Sequence, residues 1–187
     1  MQSEHRSDEW LMRAVARGGR EHVATLVRRY ANPLLTFIQR MVGDRHRAEE
    51  LFQEVFLAVW TSRETYKHPR PFRPWLFGIA LNKCRAAFRK PMPWPMVMDD
   101  ESPDPPVAGG PSPPEAVMAC ETAGLVAAGV ARLPPGQRMV LVLRIWNGLS
   151  YGEIAETMDV TPATVRSHMF HALAAMRKYL EPRMREM

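Results

Sequence analysis

The stretch Ser150–Tyr179, SYGEIAETMDVTPATVRSHMFHALAAMRKY, decides the fold. Ser150 and Glu153 form an S-x-x-E capping box, which starts a helix by satisfying its free backbone N–H groups. Ile154, Ala155 and Met158 make the inward side, and the small Ala155 lets another helix cross close by. The helix is predicted to end at Asp159. Thr161 is then an N-cap, with Pro162 at the first helical position, where its missing N–H costs nothing. Val165 and Met169, four apart, turn one face of this second helix back on Ile154 and Val160. Pro162, Ala163, Arg166, Ser167 and Phe170 occupy the opposite face. That is the layout of a helix-turn-helix, whose second helix enters the DNA major groove. An ordinary helical hairpin has the same local signals.

Charge is distributed unevenly along the 187 residues, whose net charge is +5. Residues 1–90 hold 17 bases and 9 acids, a net of +8, whereas residues 91–124 hold 6 acids and no base. Residues 125–187 return to +3, with 8 bases and 5 acids. Two basic blocks flanking an acidic connector suit two nucleic-acid-facing modules, although solvated Arg-rich helix faces give the same composition. No apolar run reaches the roughly 18 residues of a membrane span, and the N-terminus lacks the apolar core of a signal peptide. The expected location is cytoplasmic, without membrane insertion. Cys84 and Cys120 stand alone, so neither zinc nor a disulfide framework is expected.

The connector divides the chain. Residues 91–114 contain nine prolines, two glycines and four acids, a composition that favours a semi-extended chain over a regular helix. We therefore expect an all-α protein of two small helical domains, 1–90 and 113–187, joined by an extended, acidic, Pro-rich linker over 91–112. Four helices are predicted before the linker: Asp8–Arg17, Glu21–Val42 with a kink at Pro33, Asp44–Thr61, and Pro74–Arg89. After it come a helix opened by a Ser112–Glu115 capping box and running to about Arg132, a helix over Gly136–Trp146, and the helix-turn-helix.

Two of these helices have unusual surfaces. In PFRPWLFGIALNKCRAAFRK, Phe72, Trp75, Phe77 and Phe88 interleave with Arg73, Lys83, Arg85, Arg89 and Lys90. Bases bind phosphates, and aromatics stack on unpaired nucleobases for roughly 1–3 kcal/mol each. The combination suits single-stranded or opening DNA, and core packing is the competing use of the same rings. The preceding helix carries Glu49, Glu50, Gln53 and Glu54 beside Leu51, Val55 and Phe56. An acidic strip in a basic module is a poor DNA surface; it reads as a protein-docking face or a solvated one.

Four segments, in order, resemble the extracytoplasmic-function (ECF) sigma factors of bacterial RNA polymerase. RAEELFQEVFLAVW, Arg47–Trp60, is similar to the family pattern D-A-E-D-L-x-Q-E-V-F-L-x-V-W. FRPWLFGIALNKCRAAFR, Phe72–Arg89, is similar to F-R-x-W-L-x-x-I-A-x-N-x-x-x-D-x-x-R. LPPGQRMVLVLR, Leu133–Arg144, and Gly148–Ser167 follow the family's L-P-x-x-x-R-x-V-L-x-L-R and G-L-S-Y-x-E-I-A patterns. The resemblance covers nearly all of the chain outside the linker.

It implies a promoter-specificity subunit that reads the −35 and −10 elements and helps to open the duplex. The −35 contacts would come from Thr161, Pro162, Thr164, Arg166, Ser167, His168, Phe170 and His171. The −10 element would be held and melted by Tyr66, Lys67, Phe72, Arg73, Trp75, Asn82, Lys83, Arg85 and Arg89, with the loop Tyr66–Arg73 taking the non-template strand. Glu49, Glu50, Leu51, Gln53, Glu54 and Phe56 would grip the beta-prime clamp helices of core polymerase, with the beta flap as a further contact. The linker acids Asp99, Asp100, Glu101 and Asp104 would follow the polymerase cleft. Implied partners are core RNA polymerase, promoter DNA and an anti-sigma factor, with the free chain a monomer. Arg47, Phe52 and Asp159 depart from the family's usual acid, Thr and turn glycine, and Arg166 is the one firm charge among few bases on the recognition helix.

A dimeric helix-turn-helix regulator with an N-terminal sensor domain is the other reading. It accounts for the C-terminal module and leaves the aromatic-basic and acidic helices without a role. Neither a phosphate loop nor a nucleophile–base set nor a metal cluster is visible, so no catalytic residues, metal or cofactor are expected.

Overall fold

The structure is a computed structural model that describes residues 6–89 and 113–185; of residues 89 and 113–120 only the backbone is described. The linker acids, the Ser112–Glu115 capping box, and the side chains of Arg89 and Cys120 thus lie outside the described residues. Among the described residues there are eight α-helices and no strand. They are α1 (Asp8–Ala16), α2 (Val23–Val42), α3 (Arg45–Thr61), α4 (Phe72–Arg89), α5 (Pro113–Ala131), α6 (Pro135–Ile145), α7 (Tyr151–Met158) and α8 (Pro162–Met184).

Local chemistry sets most boundaries. Ser7, Asp44, Ser150 and Thr161 each accept a backbone N–H of the first turn, as N-caps do. At Ser150 both halves of the capping box are present: Glu153 N–H to Ser150 Oγ at 3.2 Å, and Ser150 N–H to Glu153 Oε2 at 2.8 Å. Gly43 closes α2 in the left-handed conformation. α2 runs as one helix through Pro33, preceded by a short 3-10 turn over Arg20–His22. α4 starts two residues before the expected Pro74, because Glu9 of α1 accepts the Phe72 N–H at 3.2 Å. A carboxylate from a distant helix does there what no neighbouring residue signals.

α2, α3 and α4 pack on one another with α1 against α2 and α4, and α8 packs on α5, α6 and α7. Phe37 and Phe77 meet edge to face at 5.4 Å in the first module, both fully buried. Burial of side chains of that size contributes about 1.5–3 kcal/mol each.

The two modules do not stand apart: α4 packs on α7 and α2 on α6, and the apolar core is continuous from Leu11 to Met176. The junction is stitched by polar groups. Arg138, 8% exposed, donates to the carbonyls of Met41 (3.0 Å), Leu133 (3.3 Å) and Ala131. Asn147 Nδ2 donates to the Pro33 carbonyl at 2.8 Å, and the Arg40 guanidinium lies 4.0 Å from the Trp146 ring centre. Burial holds the Arg40 and Arg138 guanidiniums below their ordinary pKa. No helix among the described residues is long and apolar enough to cross a membrane.

Candidate nucleic-acid and protein interfaces

The helix-turn-helix is built as its sequence signals require. Asp159 adopts φ 56° and ψ 51°, left-handed, and its N–H bonds to the Ala155 carbonyl. The small Asp side chain tolerates this turn where most residues would not. Val165 and Met169 are buried against the module, while Arg166, Ser167, Phe170 and His171 are exposed on the other side of α8. Phe170 is 71% exposed and meets the His171 ring edge to face at 5.5 Å. Thr161 and Pro162 are exposed at the helix start, and Thr161 Oγ1 lies 2.9 Å from Thr164 Oγ1. His168 departs from its expected place. It is half-buried against α6, so close that a Cβ on Gly136 would fall 3.1 Å from its Cε1. It supports the recognition helix and does not extend its outer face.

In the first module, the expected DNA-reading rings form an edge-to-face and tilted cluster of their own. Tyr66, Phe72 and Trp75 meet pairwise at 5.3–6.1 Å between ring centres. Tyr66 and Phe72 are buried, the Tyr66 hydroxyl donating to the Arg70 carbonyl, and only Trp75 is partly accessible. Tyr66 and Phe72 therefore brace Trp75 and are not themselves presented to a base. Burial, with Glu9 and Asp8 nearby, pushes the Tyr66 phenol up to about 12. Lys67 is exposed, whereas Arg73 is half-buried in a polar cleft of about 440 Å³ shared with Asp8, Glu9, Tyr30 and Glu153. Asn82 and Arg85 lie with Phe88 on another cavity, of about 640 Å³, lined also by Met41, Pro135, Arg138 and Met139. Lys83 faces α3, where its Nζ is 3.1 Å from Glu54 Oε2.

The α3 surface also differs from expectation. Leu51 is 1% and Phe56 9% exposed, so both belong to the core beneath the strip. Leu57, 63% exposed, is the apolar residue that the face presents, beside exposed Glu50 and Gln53 and half-buried Glu54. The spacing Glu50, Gln53, Leu57 was the signal for it, since these positions share one helix face. The acids are tied down: Arg45 lies 3.3 Å from Glu49, and Arg47 lies 2.6 Å from Glu50 and 3.9 Å from Glu54. Arg47, the departure from the family's acid, thus orders two of the strip's carboxylates.

These features define a helix-turn-helix protein of two helical modules, one with an exposed recognition helix and the other with an aromatic-basic and an acidic helix. Residues 26–91 match the family described as Sigma-70 region 2, and residues 124–176 match Sigma-70, region 4. The RNA polymerase sigma-H factor of Pseudomonas aeruginosa is 31% identical, over 96% of this chain and 96% of that protein. The ECF RNA polymerase sigma factor SigW of Bacillus subtilis is 28% identical, over 90% of this chain and 94% of its own. CnrH, solved in complex with the cytosolic domain of CnrY, superposes with a TM-score of 0.72 at 23% identity, over 94% of this chain and 97% of that one. The sigma factor RpoE of Bartonella quintana, solved with the anti-sigma factor NepR, gives 0.67 at 17% identity, over 84% and 96%. The chain belongs to the ECF sigma factors, and its function is that of an RNA polymerase sigma factor. The family consists of regulators of transcription rather than enzymes.

Proposed function

We propose that this sigma factor brings core RNA polymerase to promoters by reading a −35 box with α8 and a −10 box with α4 and the loop before it. The exposed α8 face carries the proposal. Arg166, Ser167, Phe170 and His171 project from a helix whose other side is locked by Val165 and Met169. Such a helix enters the major groove with its N-terminal residues against base edges. Trp75, held by two buried rings, supplies an aromatic platform for a nucleobase, and Lys67 and Arg73 supply phosphate contacts. The Glu50–Gln53–Leu57 face of α3 serves core polymerase, and an anti-sigma factor is a further partner, as for the Bartonella relative. The chain works where the polymerase works, in the cytoplasm, and is a monomer when free.

Matches to both sigma regions leave the dimeric-regulator reading without support. Footprinting on the DNA upstream of the chain's own gene tests the proposal. Core polymerase plus the chain is expected to protect two boxes, and the chain alone to protect neither. Equal protection by the chain alone, as a dimer on a palindrome, would overturn it.

A further inference from the structure

The cavity of about 640 Å³ between α2, α4 and α6 has a lining sorted by chemistry. Met41 of α2 and Met139 of α6 give it a buried apolar surface. Phe88 of α4 and Pro135 of α6 are exposed and add to the apolar side. Asn82 and Arg85 of α4 and Arg138 of α6 supply the polar side. The volume falls in the range of small-molecule pockets, roughly 300–1,000 Å³, and so does the mixture: mostly apolar walls with a few convergent polar groups.

Its charge is one-sided. The buried Arg138 gives Nη1 and Nη2 to the carbonyls of Met41, Ala131 and Leu133, all neutral acceptors, and its Nε is buried without a hydrogen-bond partner. Burial holds its pKa down, and no neighbouring carboxylate offsets the effect. Arg85 is half-buried and makes no ion pair or hydrogen bond among the described residues. No Asp or Glu among the described residues lines the cavity. A charge taken out of water is costly unless an opposite charge or a full set of hydrogen bonds compensates it. Two guanidiniums on one cavity without an acid call for an anion. A bare inorganic ion uses only half of the lining, because Met41, Met139 and Phe88 offer it no hydrogen bond. Methionine side chains adapt to apolar bodies of varied shape, and the planar fork of a guanidinium matches a carboxylate.

We propose that this cavity is a binding site for a small carboxylic acid with an apolar body, aryl or alkyl: Arg85 and Asn82 hold the carboxylate beside the Arg138 charge, and Met41, Phe88, Pro135 and Met139 enclose the apolar part. Asn82 and Arg85 then serve two ligands. Both are assigned above to the −10 strand, so a bound acid withholds them from DNA and makes promoter engagement sensitive to a small molecule. That consequence rests on the −10 assignment, whereas the site itself rests on the cavity and its unpaired guanidiniums.

Phenylacetate is the probe, with phenylacetamide as the same body without the charge and acetate as the charge without the body. Each is titrated into the full chain carrying isotope-labelled methionine methyls, read by NMR. The Met41 and Met139 methyl signals are expected to shift saturably with phenylacetate, at a Kd of about 1 mM or tighter, while that of Met12, buried in the α1 core, stays in place. Arg85→Gln removes one charge from a side chain that bonds to nothing else described, so the fold is retained and phenylacetate binding is expected to weaken about tenfold. Equal shifts with phenylacetamide overturn the claim for an anion, and equal shifts with acetate overturn the claim for an apolar body. The absence of a saturable shift overturns the site for an external ligand. In that event the triple variant Asp99→Asn, Asp100→Asn, Glu101→Gln shows whether the chain's own acids occupy the cavity, by gaining the binding that the wild type lacks. At a phenylacetate concentration of about ten times its Kd, affinity for a short, labelled single-stranded oligonucleotide is expected to fall about tenfold, as for ligands that exclude one another. Unchanged oligonucleotide affinity, with the methyl shifts intact, overturns the withholding and the −10 role of Asn82 and Arg85, while the carboxylate site stands.

Discussion

Arg70 and Glu156 stand 2.5 Å apart although 86 positions separate them in sequence. The pair joins the loop before α4 to the first helix of the helix-turn-helix, and so ties one DNA-reading module to the other. Both ends of the sigma factor are built from ordinary local signals, but their relation is set by contacts such as this one.

Arg166→Ala is expected to weaken −35 recognition by about 1–3 kcal/mol, the range for a good base contact. The fold is unaffected, because the side chain is exposed on the outer face of α8. Competition binding of holoenzyme to native and −35-mutated promoter fragments measures the loss of discrimination.

Trp75→Ala is expected to damage opening more than binding. Loss of one stacking platform corresponds to roughly 1–3 kcal/mol. Permanganate reactivity of unpaired thymines in the −10 region should fall, while the amount of closed complex is retained. Tyr66→Ala and Phe72→Ala act differently: both rings are buried, and their removal costs about 3–5 kcal/mol of stability, visible as a lower Tm.

On α3, Leu57→Asp is expected to reduce affinity for core polymerase more than about tenfold while leaving Tm nearly unchanged, since the side chain is 63% exposed. Leu51→Ala reverses the pattern. It opens a cavity in the core, for a loss of about 2–5 kcal/mol, and touches polymerase affinity only through stability.

Asp159→Gly is expected to stabilise the chain by up to about 1 kcal/mol, since glycine adopts φ 56° without a Cβ clash. Asp159→Val, β-branched at a positive φ, is expected to destabilise it. Thermal denaturation of the three proteins ranks them.

Burial pushes the Cys84 thiol up to about 12 from its ordinary value near 9. The folded state keeps this proton while the unfolded state has lost it, so stability is full below the unfolded pKa and falls as pH rises toward about 12. Urea unfolding through the alkaline range should show the decline, and Cys84→Ala should flatten part of it. The same shift predicts slow alkylation of Cys84 in the native protein.

Much of the fold is legible because its signals are local. Ser150 with Glu153, and Thr161 with Pro162, mark two helix starts by residues no more than three apart, and both caps form as expected. Helical phase was harder to read on α3. Leu51, Phe56 and Leu57 are all apolar, and only the packing of α3 on α2 and α4 shows which of them faces outward. The start of α4 depends on Glu9, and the position of His168 on the space over Gly136; neither cause is near in sequence. Closure of the two modules was illegible for the same reason. Arg138, Asn147 and Glu156 are unremarkable polar residues until Met41, Pro33 and Arg70 are brought beside them.

Run-off transcription with core RNA polymerase, on the DNA upstream of the chain's own gene, is the most direct test of the central claim. The account predicts a discrete transcript that requires this chain and is diminished by Arg166→Ala and by Trp75→Ala. Absence of any chain-dependent transcript from that template and from the other native promoters would contradict it.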